Sequence, residues 1–128
     1  MHLDHVGVAT DDVEGFVSLY EEVFELEVAH TETVDGMEVA FLDLGESFLE
    51  VLEPIEDDAA IASFLERNGP GMHHVAFAVE DLVTTLEAVR AREVETIDDE
   101  PRAGAWGHDV AFLHPSSTGG VLVELLEH

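Results

Sequence analysis

One pattern occurs twice in this chain. Leu3-Asp4-His5-Val6-Gly7-Val8-Ala9, followed by Asp11-Asp12-Val13, returns as Met72-His73-His74-Val75-Ala76-Phe77-Ala78, followed by Glu80-Asp81-Leu82. Each copy places a histidine at the same point of an alternating segment, His5 and His74. Each copy later carries one glutamate inside an apolar run, Glu50 and Glu124. A chain of 128 residues suits a single domain, so the repeat predicts one domain over 1–128 built from two similar halves, about 1–54 and 72–128.

The first half reads as strand, helix, strand, strand, strand. Residues 3–9 alternate as a strand, and Thr10 or Asp11 caps a helix in which Val13, Phe16, Val17, Tyr20 and Phe24 recur at helical spacing. Glu27–Thr31 reads as a strand, Asp35-Gly36 as a tight turn, Met37–Leu44 as a third strand and Ser47–Glu53 as a fourth, stopped by Pro54. A short helix over 57–68, starting at Asp57 or Asp58, joins the halves, with Ile61, Phe64 and Leu65 on one face and Arg67 near its C-terminal end. The second half repeats the order: strand 72–79, helix from about Asp81 to Arg92, then strands near Val94–Ile97, 108–114 and 121–127. The spacing between matched residues widens along the chain, which fits added loop residues at 116–120. The expected class is α+β, paired βαβββ modules forming a curved mixed sheet around a metal-binding cleft.

The charge is extreme, with 30 Asp plus Glu against four arginines, no lysine and a net charge of −26. Nucleic acid is excluded as a partner, because phosphate neutralisation needs clustered basic side chains. No apolar run is long enough to suggest a membrane span, and the start of the chain lacks a leader's pattern, so a cytoplasmic location is expected. Self-repulsion at this charge falls when about 1 M salt shortens the Debye length to about 3 Å, which points to a high-salt cytoplasm. Cysteine is absent, so any metal must be held by nitrogen and oxygen.

Strand parity puts His5 on a face with Leu3, Gly7 and Ala9, and His74 on a face with Met72, Ala76 and Ala78. Small neighbours leave room beside both histidines, whereas Val6, Val8, Val75 and Phe77 point to the helices. A lone carboxylate in an apolar strand is costly to bury, and a divalent cation would remove that cost for Glu50 and Glu124 together. His5, Glu50, His74 and Glu124 therefore form the expected ligand set, suited to Co²⁺, Mn²⁺, Ni²⁺ or Zn²⁺. Glu53 and Glu127 read as solvent-facing edge residues. His73 falls on the opposite face as a packing residue, and His108 and His114 fall at the surface or in loops.

The stretches Asp4–Ala9, Leu49–Pro54, Gly71–Ala76, Asp99–Ala105, Phe112–Pro115 and Gly119–Leu125, with the His, Glu, His, Glu order, resemble the vicinal oxygen chelate superfamily of glyoxalases, extradiol dioxygenases, antibiotic-resistance binders and acyl-CoA epimerases. They are most similar to the epimerase branch. That resemblance implies an isomerase that interconverts the (R) and (S) epimers of methylmalonyl-CoA by α-proton abstraction through an enolate. It implies one divalent ion per chain, Co²⁺ first, a small CoA thioester as substrate, and a homodimer. Glu124 would be both ligand and base. Relatives place a second glutamate at the position held here by Val39; the carboxylate stands one residue earlier, at Glu38, on the opposite face unless a bulge restores it. Ser116 stands where relatives commonly carry lysine after His-Pro, leaving the coenzyme A phosphates to Arg102, to salt-screened backbone contacts or to bound cations. A glyoxalase-like enzyme or a non-catalytic small-molecule binder are the alternatives, and Trp106 could close over substrate or simply pack.

Overall fold

The computed structural model describes all 128 residues. The chain divides into two compact units, one of residues 5–73 and one of residues 1–4 with 74–128. The eight strands are β1 (His2–Ala9), β2 (Glu27–Val34), β3 (Met37–Asp43), β4 (Phe48–Pro54), β5 (Gly71–Ala78), β6 (Arg102–Ala103), β7 (Asp109–Leu113) and β8 (Val123–Glu127). The helices are α1 (Val13–Phe24), α2 (Ala60–Asn68) and α3 (Leu82–Ala91). The α+β class and the paired βαβββ order are those expected.

Within the first unit the strand order is β2-β3-β4-β1. β1 runs parallel to β4, with Gly7 opposite Glu50, and β4 and β2 each run antiparallel to β3. Asp35 (φ 49°) and Gly36 (φ 75°) form the two-residue loop between β2 and β3. Both take the left-handed conformation that a primed hairpin turn requires. One irregularity breaks the β2–β3 ladder: Val28 opposes Leu42, yet His30 opposes Phe41, so Ala29 is an extra residue. The second unit repeats the plan as β5-β8-β7-β6. β5 is parallel to β8, with Ala76 opposite Glu124, and β8 is antiparallel to β7. Its core, built from Leu82, Leu86, Ala111, Leu113, Val123 and Leu125, lies under α3.

The helix starts differ from the expected caps. α1 is capped by Asp12, whose carboxylate accepts from the Gly15 amide at 3.0 Å. α2 begins only after Ala59, without a side-chain cap. Glu53 and Glu127 are corrections to the sequence reading. The Val13 amide donates to Glu53 Oε1 at 2.7 Å, and the Leu82 amide donates to Glu127 Oε1 at 2.8 Å. The last strand of each half thus supplies a carboxylate to the N-terminus of that half's helix, where orphan amides and the helix dipole favour it.

The expected strand at 94–97 is also corrected, since this segment makes a single bridge, Thr96 to Leu113. Regular pairing stops there because Asp98 Oδ2, rather than a backbone carbonyl, accepts the Phe112 amide at 2.8 Å. The Arg90 guanidinium holds the carbonyls of Asp98 and Asp99. A short strand reforms at Arg102–Ala103, opposite Val110 and Asp109. No helix is long and apolar enough to cross a membrane.

Candidate metal and proton-transfer site

Parity places His5 on the β1 face away from α1, and the sheet aligns the other side chains of that face. Glu50 of β4 opposes Gly7, and Phe41 of β3 opposes Glu50, so His5, Glu50 and Phe41 project together. His5 Nε2 lies 3.3 Å from Glu50 Oε1, and both residues are buried. The Phe41 ring meets the His5 ring edge-on, with centroids 5.7 Å apart.

The second half builds the same arrangement. Glu124 opposes Ala76 and Phe112 opposes Glu124. His74 Nε2 lies 3.7 Å from Glu124 Oε1, again with both residues buried. Phe112 meets His74 edge-on at 5.5 Å. Each half therefore holds one buried imidazole and one buried carboxylate, oriented by one phenylalanine. A buried carboxylate demands a partner charge, and an imidazole–carboxylate set is a donor chemistry suited to a divalent ion.

Glu38 lies elsewhere. The β3–β4 register runs unbroken from Met37 to Asp43, so no bulge returns Glu38 to the face of Phe41 and Glu50. It opposes Glu53, accepts from the Thr33 hydroxyl at 2.7 Å, and borders a recess of about 720 Å³ shared with Asp11, Asp12, Glu14 and Glu53. Those residues belong to the α1 side of the sheet.

His30 and Glu32 were not singled out by the sequence reading. His30 opposes Phe41 and Glu32 opposes Val39, which sets both on the His5 face. Their side chains meet at 2.5 Å, His30 Nε2 to Glu32 Oε2, and the His30 ring lies 6.1 Å from Phe41. The signal was present as His-x-Glu in one strand, where alternate residues share a face. The bulge at Ala29 hid which face that was.

Beside Phe112 the second half offers a different group. The Arg102 guanidinium stands 5.5 Å over the Phe112 ring and is paired with Asp98 at 3.0 Å. Ser116 contacts His114, whose Nδ1 accepts from the Ser116 amide at 3.1 Å. His73 packs edge-on against Phe64 of α2 at 4.9 Å. Trp106 takes a left-handed φ of 62° and stacks on His108; His108 in turn contacts His128, which bonds Asp4 at 2.8 Å.

Comparison with known proteins gives the family. The pattern of the Glyoxalase/Bleomycin resistance protein/Dioxygenase superfamily matches residues 4–112, and the chain belongs to that superfamily. Among its relatives are epimerases. The mitochondrial methylmalonyl-CoA epimerase of Mus musculus is 37% identical over 126 residues, covering 96% of this chain and 71% of that one. The ethylmalonyl-CoA/methylmalonyl-CoA epimerase of Cereibacter sphaeroides is 35% identical over 127 residues, covering 96% and 95%. A variant of the Streptomyces coelicolor methylmalonyl-CoA epimerase, solved in complex with 2-nitronate-propionyl-CoA, superposes with a TM-score of 0.95 at 36% identity, covering 99% of this chain and 96% of that one.

Proposed function

We propose that the chain is an isomerase that interconverts the (R) and (S) epimers of methylmalonyl-CoA, with one divalent metal ion held by His5, Glu50, His74 and Glu124. The observation that carries this reading is the twofold recurrence of a buried His–Glu pair braced by phenylalanine, in a chain whose relatives are epimerases of CoA thioesters. The donor set fits an ion of the Co²⁺, Mn²⁺, Ni²⁺ or Zn²⁺ group, Co²⁺ being the first expectation. When bound, the ion supplies Lewis acidity to the carboxylate and thioester oxygens of the substrate.

The remaining work falls to side chains of this protein. Glu124 removes or returns the α-proton on one face of the substrate, and the electron pair of the broken C–H bond moves onto the thioester oxygen as an enolate. Phe41 and Phe112 hold the imidazole rings in place through edge-on contacts. Arg102 is the cationic group available for the coenzyme A phosphates. Glu38, turned toward α1, stays outside the proton-transfer set.

Two broader readings go with this one. The exposed apolar residues Leu19, Val23 and Phe24 of α1 support a homodimer, to be checked by light scattering on the eluting protein. The acidic surface supports a high-salt cytoplasm. The direct test is NMR of methylmalonyl-CoA in D₂O with metal-reconstituted protein in molar salt. Deuterium entering the α-position is expected, with loss of that exchange in Glu124→Gln for the epimer whose α-hydrogen faces Glu124. Turnover of a glutathione hemithioacetal without that exchange would move the assignment to a glyoxalase.

A further inference from the structure

An epimerase needs two proton-transfer groups, one for each face of the enolate, and the ligand pairs alone leave the second unassigned. We infer that the His30–Glu32 dyad of β2 is that second group, an assignment that rests on the epimerase reading above.

Four observations carry it. First, the position opposite Glu32 is Val39, on the same face as Phe41 and Glu50, so Glu32 delivers a carboxylate from the neighbouring strand to a place where β3 has none. Second, the two-residue Asp35-Gly36 turn fixes the dyad on that face, since the register runs unbroken from Val34–Met37 back to His30–Phe41. The extra Ala29 interrupts the ladder immediately beyond His30. Bulges are over-represented next to active sites. Third, burial alternates along β2 so that His30, Glu32 and Val34 are half-covered, while Thr31 and Thr33 are exposed. Fourth, the two halves diverge at this place. Phe41 and Phe112 are equivalent braces, yet the group beside Phe41 is a hydrogen-bonded imidazole–carboxylate pair and the group beside Phe112 is a guanidinium. One is suited to moving a proton and the other to holding an anion.

Distance permits the role. His30, Phe41 and Glu50 stand in a row across β2, β3 and β4, so a malonyl unit would lie over the Phe41 ring, within the two strand spacings, about 10 Å between backbones, that separate His30 from Glu50. The step balances without a co-reactant. The α C–H bond breaks, its electron pair becomes the enolate, and the proton passes to the His30 imidazole, whose new charge is offset by the Glu32 carboxylate. Glu124 then delivers a proton to the other face of the α-carbon. The reverse reaction exchanges these roles.

Each pure epimer of methylmalonyl-CoA would be incubated in D₂O with wild-type protein, His30→Gln and Glu32→Gln, all metal-reconstituted, with metal content and thermal midpoint measured alongside. The wild type should exchange the α-hydrogen of both epimers. The variants should bind metal and melt as the wild type does, and should still exchange the epimer whose hydrogen faces Glu124. Exchange of the other epimer should fall by about 10² to 10⁴, the range for loss of a general base. Glu32→Asp should recover part of it. Exchange of both epimers near the wild-type rate would overturn the assignment. Equal loss for both epimers would also overturn it, since a purely structural role makes no distinction between them. Absence of exchange in the wild type would instead remove the epimerase reading, and this assignment with it.

Discussion

Carboxylates of one type do two different jobs in this chain, and strand parity decides which. Glu50 and Glu53 are three residues apart on β4 and therefore face opposite ways; one pairs with His5 and the other caps α1. Glu124 and Glu127 divide the same labour on β8. Removing a cap should cost about 1 kcal/mol, up to about 2. Glu53→Ala and Glu127→Ala should each lower the urea midpoint without changing its slope, which equilibrium unfolding would measure. Glu38→Gln should leave epimer exchange within about threefold of wild type, because its carboxylate lies on the α1 side. The ligand-face residues were legible in the sequence because parity needs no tertiary information. The caps were not, because Glu53 meets Val13 across 40 residues of chain.

At the scale of elements, the halves agree wherever the chain supplies a clear stop or turn. Asp35-Gly36 fixes the β2–β3 hairpin, and the Gly36 φ of 75° excludes easy replacement. A Cβ there would also approach the Glu56 carboxylate to 2.8 Å. Gly36→Val should therefore destabilise by about 1 to 3 kcal/mol, read as a drop in thermal midpoint. The strand expected at 94–97 failed for a reason invisible to periodicity. A side chain, Asp98, takes the ladder partner that a backbone carbonyl would have taken, and Arg90 holds the carbonyls that follow. The second half lacks a tight turn at that point, so its outermost strand shrinks to Arg102–Ala103.

Over the whole molecule, charge is the dominant unsettled force. The net charge of −26 is concentrated locally as well as summed. Glu38 stands directly opposite Glu53 in one half, and Asp109 opposite Glu127 in the other. Like charges in such cross-strand pairs are destabilising in dilute buffer. The thermal midpoint should therefore rise steadily as potassium chloride increases from about 0.1 M to molar levels, where the Debye length falls to about 3 Å; a flat profile in scanning calorimetry would count against salt adaptation. Metal removal should act separately from salt. A chelator should lower the midpoint and abolish exchange in molar salt, and re-addition of Co²⁺ should restore both, because binding to the folded state alone stabilises it.

Ala29 shows where the β2–β3 hairpin is sensitive to counting and where it is not. It is an exposed alanine, one extra residue in β2. Deleting it would leave His30 opposite Phe41 and Val28 opposite Leu42 and would only straighten the strand. A single residue added or removed between His30 and the Asp35-Gly36 turn would instead swing the imidazole to the α1 side, so a one-codon change there would cost this hairpin a function that most replacements would spare.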